Sequence, residues 1–351
     1  MMLSKTAMIA ALTLLSNDPQ AVEAQAVFDA LAGEFPALNA TVMVQGEIVW
    51  EAEGGTRRDA SDGVERDYNV YSVAKMLTGL AFARLEQEEG LDLDQSVRAI
   101  DPALPEAYQA VTPRLLLSHL GGVRHYQGER DWRDFNDMRC AAPADALAHF
   151  IADPLASEPG TQFQYTTFGF TLLSHLLVET TGAESYDAAM AQALGDGVYR
   201  ARTDRDGAEK AMNYRANWRG ALNEISLSAE CKFGGGGLLA SSRDLAAMGA
   251  DFAAGAIVEA EAVPALLTSG VDAAGERVAT SYGMGAGYSQ EAGLHYAVHS
   301  GGSPGGRAYV AVFVERQVVV ALTANFDGPN HGDTALALAR IFAGLPPSDA
   351  D

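Results

Sequence analysis

Positive charge is scarce in this chain. Lys and Arg together number 24 against 46 Asp and Glu, a formal net charge of -22 over 351 residues. That balance excludes nucleic acid and anionic membrane surfaces as partners, because both call for basic patches. Lysine is the rarest cation, occurring only at Lys5, Lys75, Lys210 and Lys232. Cysteine is almost absent: Cys140 and Cys231 are too few for a disulfide framework. In an oxidising compartment the two could pair, while two small buried hydrophobes is the other reading, and sequence alone cannot bring their Cα atoms together. No Cys/His spacing resembles a zinc site, and no metal or organic cofactor is expected. No apolar run is long enough for a membrane span, which takes about 20 residues. Internal repeats and low-complexity linkers are missing too. What is present is a 48% hydrophobic complement, ample for a large buried core.

The N-terminus reads as an address. Lys5 gives a weak positive start, Ala7 to Leu15 forms a short apolar run, and Val22-Glu23-Ala24 offers small residues for cleavage. Residues 1–24 are therefore expected to be a cleavable signal peptide, placing residues 25–351 in the periplasm or outside the cell.

Period-2 alternation over Thr41–Val44 and Ile48–Ala52, around a Gln45-Gly46-Glu47 turn, predicts a hairpin. From Ser72 to about Leu267 the periodic segments read as helix. Examples are Ala74–Glu89, Pro113–His119, Pro143–Ala152, Thr171–Thr181 and Ser242–Ala254. Strands return at Tyr296–Ser300, Ala308–Glu315 and Gln317–Asn325, followed by a helix at Thr334–Ala343. Strands at both ends with helices between them predict an α+β fold. Its antiparallel sheet is built from N- and C-terminal strands and flanked by helices (about 25–71 and 271–345), with an inserted helical lobe (about 72–270).

Tyr71-Ser72-Val73-Ala74-Lys75 places a serine and a lysine three apart at a helix start, where both share one face. A serine hydroxyl needs a base, and a lysine desolvated at a helix N-terminus is pushed toward the neutral form that can serve. Free backbone N–H groups at that terminus suit a developing oxyanion. A turn-rich stretch delivers Tyr165 just before a helix. Near the C-terminus His299-Ser300-Gly301-Gly302 ends a strand, where glycine permits close approach of a substrate backbone.

In this order, S-x-x-K, then Y-x-N/T, then K/H-[ST]-G resembles the serine beta-lactamase and penicillin-binding-protein superfamily. Ser118-His119-Leu120-Gly121-Gly122-Val123-Arg124-His125-Tyr126 and Tyr165-Thr166-Thr167-Phe168-Gly169 are similar to its class C-type branch of esterases, D-amino-acid peptidases and mitochondrial serine beta-lactamase-like proteins. So is Cys231-Lys232-Phe233-Gly234-Gly235-Gly236-Gly237-Leu238, leading to Asp244. The resemblance implies Ser72 as nucleophile, Lys75 as base or relay and Tyr165 as proton donor to the leaving group. It also implies an oxyanion hole from the Ser72 and Gly302 amides, and Thr167, His299, Ser300 and Gly301 along the substrate. His125 and Tyr126 would line the cleft or pack behind it, and Arg307 is a candidate for an acidic substrate group.

Two departures bear on substrate. Thr167 stands where beta-lactamases and transpeptidases usually carry Asn, and His299 replaces the Lys that meets a carboxylate. Both fit a serine hydrolase of small peptides, amides or esters better than a beta-lactamase or D,D-peptidase. A catalytically weak peptide- or cell-wall-binding homologue is the non-enzymatic alternative; the state of assembly is left open. Gly301-Gly302-Ser303-Pro304-Gly305 also matches the G-x-S-x-G nucleophile elbow, but that elbow needs a helix directly after the serine, and Ala308–Glu315 reads as a strand. Asp327 and His331 are then loop residues.

Overall fold

In the computed structural model, residues 18–57, 63–195, 201–205, 207–226, 228–255, 282–291, 293–329 and 331–345 are described. Helix α1 (Pro19–Ala32) leads into the hairpin β1 (Leu38–Val44) and β2 (Glu47–Gly54). Its two turn residues, Gln45 (φ 51°) and Gly46 (φ 82°), both take the left-handed conformation that a tight hairpin turn demands. The short strand β3 (Tyr68–Asn69) and a 3-10 turn, Tyr71–Val73, then open helix α2 (Ala74–Glu89). Next come α3 (Val97–Ile100), α4 (Pro113–Leu117), α5 (Glu129–Asn136), α6 (Pro143–Leu147), α7 (Thr167–Thr181) and α8 (Tyr186–Leu194). Strands β4 (Arg202–Thr203), β5 (Asn213–Ala216) and β6 (Leu222–Ile225) precede a 3-10 segment, Glu230–Gly235, then β7 (Leu238–Ala240) and α9 (Ser242–Ala253). The chain closes with β8 (Tyr282–Gly283), β9 (Ala286–Glu291), β10 (Leu294–Ser303), β11 (Gly306–Phe313), β12 (Val318–Ala324) and α10 (Gly332–Ala343).

The seven residues of β12, Val-Val-Val-Ala-Leu-Thr-Ala, carry no charge and are all buried, as a strand covered on both faces must be. Alternate side chains serve two cores. Val319 and Ala321 join the large core of the helical side, while Val318, Val320 and Leu322 meet Phe28 of α1 and Leu338 of α10. β12 sits inside a seven-stranded sheet of order β2-β1-β12-β11-β10-β9-β8, so both ends of the chain share one sheet. All its pairings are antiparallel, with Val42 opposite Val320. The fold is the expected α+β one, with helices on both faces of this sheet.

Helix α9 lies on the sheet although it belongs to the inserted stretch. A side chain at Gly249 would come within 2.6 Å of Val319, so glycine sets how closely α9 approaches β12. The rest of the insertion packs around α2, which is buried almost all round and ends at Gly90 in the left-handed conformation (φ 70°). Two small sheets are also present: β5-β6 lies within this stretch, and β3-β7-β4 joins its β7 and β4 to β3, which precedes it.

Local differences from the sequence pattern have local causes. α4 stops at Leu117 and His119 turns left-handed (φ 58°), where a helix was expected to reach His119. α7 starts four residues early because the Thr166 side chain accepts from the Phe168 and Gly169 amides as an N-cap. The helical reading beyond Gly255 falls outside the described residues. The cleavage point expected after Ala24 lies within α1, at a fully buried position. Cys140 and Cys231, left open above, form a disulfide with Cα atoms 5.2 Å apart, and both are buried. Among the described residues no helix is long and apolar enough to cross a membrane.

Candidate active site

The site begins with a strained residue. Tyr71 is buried and left-handed (φ 47°), a conformation that costs a bulky residue free energy and needs its surroundings to hold it. Its ring lies over Gly306, where an added Cβ would sit 2.7 Å from the phenol oxygen. This kink aims the next residue, Ser72, into a cleft of about 280 Å³. Gly301 of β10 packs against the same turn: a Cβ there would lie 2.1 Å from the Val70 carbonyl and 3.1 Å from the Ser72 amide nitrogen. β10 pairs with β9 only as far as Val298, opposite Gly287, yet continues beside β11 to Ser303, opposite Gly306. The end of β10 is therefore a free edge among the described residues, and its Gly302 borders the cleft with Ser72.

Lys75, the second residue of α2, is completely buried. Its Nζ lies 3.2 Å from Ser72 Oγ and 2.5 Å from the Gly235 carbonyl oxygen. The faces of Tyr165 and Phe170 flank it, with centroids 4.9 and 5.6 Å from Nζ. Burial, reinforced by the charge of Lys232, holds its pKa well below that of an ordinary lysine. Tyr165 completes the cluster with its hydroxyl toward Ser72, and burial pushes its pKa up to about 12.

Tyr165 is fastened by its neighbours. The His119 carbonyl accepts from the Gln164 amide at 2.8 Å, and His119 Nδ1 accepts from the Thr166 amide at 3.2 Å. The His119 ring itself stacks obliquely on Tyr165, centroids 4.3 Å apart. One buried histidine thus grips the backbone on both sides of the tyrosine. Burial also holds His119 neutral, its pKa well below the histidine range, as an accepting Nδ1 requires.

The expected substrate residues divide. Thr167 and His125 line the cleft, and His125 Nδ1 accepts from the Thr167 amide at 3.2 Å, its pKa lowered by burial to about 4. His299, Ser300, Gly301 and Tyr126 do not line it. The correction matters most for His299. Strand pleating turns this side chain inward, where Nδ1 donates to the Ser300 carbonyl at 2.7 Å and Nε2 accepts from the Tyr282 hydroxyl at 3.0 Å. Both nitrogens are engaged and burial drives the pKa down to about 3, so His299 is a neutral strut behind the wall. Tyr126 is likewise a packing residue, edge-on to Phe168 at 4.9 Å. Arg307 stands opposite Gly302 in the β10–β11 register and donates to the Asp327 carbonyl at 3.5 Å. Ser303 leads through a hairpin into β11, with no helix after it, so the nucleophile-elbow reading has no structural support.

Two cleft residues escaped the sequence reading: Lys232 and Trp132. Lys232 is buried, its Nζ 5.7 Å from the Trp132 ring centroid, and burial lowers its pKa to about 8. The signal for it was the scarcity of lysine, since two of the four lysines, Lys75 and Lys232, are buried at this site and only Lys232 lines the cleft.

Known proteins place this arrangement in context. The mitochondrial serine beta-lactamase-like protein LACTB of Homo sapiens is 26% identical over 290 residues, covering 61% of this chain and 52% of that protein. The chain thus spans about half the length of the curated relatives it matches. A D-stereospecific amidohydrolase from Streptomyces sp. superposes with a TM-score of 0.74 at 20% identity, over 94% of this chain and 100% of that one. EstCE1, a hydrolase with promiscuous acyltransferase activity, superposes with a TM-score of 0.73 at 17% identity, over 93% and 98%. At those identities the two structures attest a common fold. The Beta-lactamase family model matches residues 24–345, nearly the whole chain, and the chain belongs to that family.

Proposed function

We propose that this chain is a serine hydrolase that forms an acyl-enzyme on Ser72 and acts on a small peptide, amide or ester. The observation that carries the proposal is the buried Lys75 amine, 3.2 Å from the Ser72 hydroxyl and 2.5 Å from the Gly235 carbonyl. A neutral amine has two N–H donors and one lone pair; a donor goes to Gly235, and the lone pair can accept the Ser72 proton. Ser72 Oγ then attacks the substrate carbonyl. The oxyanion forms between the Ser72 and Gly302 amides at the free edge of β10. Tyr165, kept protonated by its raised pKa, gives its phenolic proton to the leaving group and takes the Lys75 proton in its place, which returns Lys75 to the neutral amine; water later releases the acyl chain by the reverse relay.

Thr167 in place of Asn and the withdrawal of His299 from the cleft favour an amide or ester over a beta-lactam. The names of the neighbours, an amidohydrolase and a hydrolase with acyltransferase activity, point the same way. We also propose export, supported by the Cys140–Cys231 disulfide, which suits an oxidising compartment. The cut would fall before Asp18, which caps α1, because Ala24 is buried within that helix. A fluorophosphonate probe tests the function. Label mapped to Ser72, and lost in Ser72→Ala, is the expected result; label on Ser303, or none, would refute it.

A further inference from the structure

Lys232 has no role in the relay just described, yet it faces the same cleft. It is 7% exposed. Among the described residues no hydrogen-bond acceptor or carboxylate pairs with its Nζ; its close partner there is the Trp132 ring, at 5.7 Å. The carboxylate whose charge it feels is that of Asp204, but Asp204 is already committed. Both its oxygens accept from Lys210 Nζ at 2.7 Å, and it also accepts from Asn69 at 2.7 Å and from the Ala229 amide at 3.3 Å. An ammonium held out of water without a counter-ion is costly, and the cost is removed when a ligand supplies the opposite charge.

The described residues lining the cleft around it offer no counter-charge. Among the described residues that line this cleft there is no carboxylate, although the chain has 46. Lys75 is held toward its neutral form, His125 is neutral, and His299 is turned away behind the wall. Among the described residues that line the cleft, the side chain that brings a positive charge is Lys232, with the indole face of Trp132 beside it, while the Arg307 guanidinium lies next to Gly302 at the cleft's edge.

We propose that Lys232 and Trp132 form an anion subsite, selecting substrates that carry a carboxylate next to the group attacked by Ser72. The position differs from that expected of His299: the cation comes from the Gly-rich 3-10 segment instead of the β10 edge. The indole covers the apolar stem of the substrate while the ammonium takes its carboxylate, exchanging a cation–π contact for a charge-assisted hydrogen bond.

The inference rests on the hydrolase reading for one of its two tests. The first compares kcat/KM for mono-4-nitrophenyl glutarate and its neutral isostere 4-nitrophenyl pentanoate. The charged ester should be favoured by about tenfold or more. The preference should vanish in Lys232→Met, survive in Lys232→Arg, and fade in the unmodified protein as pH rises through about 8. The pH arm needs no variant to fold. The second test measures equilibrium binding of glutaranilic acid and of valeranilide to Ser72→Ala, with and without Lys232→Met. Tighter, Lys232-dependent binding of the acid, even without ester turnover, would uphold the subsite while the hydrolase reading fell. Turnover of both esters at equal efficiency, with equal binding of the two anilides, would overturn the subsite and leave the hydrolase standing. A preference untouched by Lys232→Met but lost in Arg307→Met would also overturn it.

Discussion

The Lys75 amine and the Gly235 carbonyl oxygen lie 2.5 Å apart although 160 residues separate them in the chain. The base candidate on the first turn of α2 is thus held by the Gly-rich segment, which also carries Lys232. That segment is anchored by Cys231, tied across 91 residues to Cys140. The acceptor that holds the amine thus lies on the same short segment as a covalent clamp to a distant part of the chain.

Removing that clamp should therefore cost both stability and rate. The double variant Cys140→Ala/Cys231→Ala is expected to lose about 2–4 kcal/mol in urea unfolding. Its kcat/KM should fall at temperatures where it is still folded by circular dichroism. Unchanged kcat/KM in the folded variant would show that the Gly-rich segment holds Lys75 without help.

His119 should behave as a positioning residue. His119→Ala frees the Thr166 amide and opens space beside Tyr165, and misplacing a catalytic group by about 1 Å can cost about 100-fold in rate. The loss should fall on kcat more than on KM. His119→Asn, whose Oδ1 can accept from Thr166, should recover part of it. Equal losses in both variants would mean that the histidine only fills volume.

Gly301→Ala tests the seam between sheet and helical side. The added methyl would meet the Val70 carbonyl at 2.1 Å, so the Ser72 turn or β10 must move. We expect acylation of Ser72 to slow by about 100-fold, as for other small displacements of reacting groups. A variant with normal acylation would show that the seam has slack.

Acid should destabilise the fold before its carboxylates titrate. His299 is held near about 3, His125 and His331 near about 4, and His119 well below 6.5, all mainly by burial. The unfolded chain takes up protons on these groups near pH 6.5 that the folded chain refuses. Their stability contribution is complete above that pH and is lost progressively as pH falls toward the folded values. Urea midpoints should drop between pH 7.5 and 5, with a shallower drop in His299→Gln. A flat profile would contradict the buried neutral state.

Much of this architecture is legible in the residues. The α2 boundaries follow from its apolar run and the Gly90 stop, and β12 from an uncharged stretch rich in β-branched residues. Strands β3, β4 and β7, at two or three residues each, are too short for periodicity to register. Ser72, Lys75 and Tyr165 could be read because their motifs are local. The inward turn of His299 could not, since it depends on the pleat of β10 and on the Tyr282 hydroxyl, both tertiary facts. Lys232 was hidden for a similar reason: its segment reads as a glycine loop until folding carries it to Lys75.

The activation of Ser72 by a neutral Lys75 is tested most directly by the pH dependence of fluorophosphonate acylation. The rate constant should rise through a single ionisation well below the ordinary lysine value. In Lys75→Met that inflection should vanish and the rate should fall by about 10²–10⁴-fold, the usual worth of a general base. An unchanged inflection and near-normal labelling in Lys75→Met would remove the lysine from the mechanism.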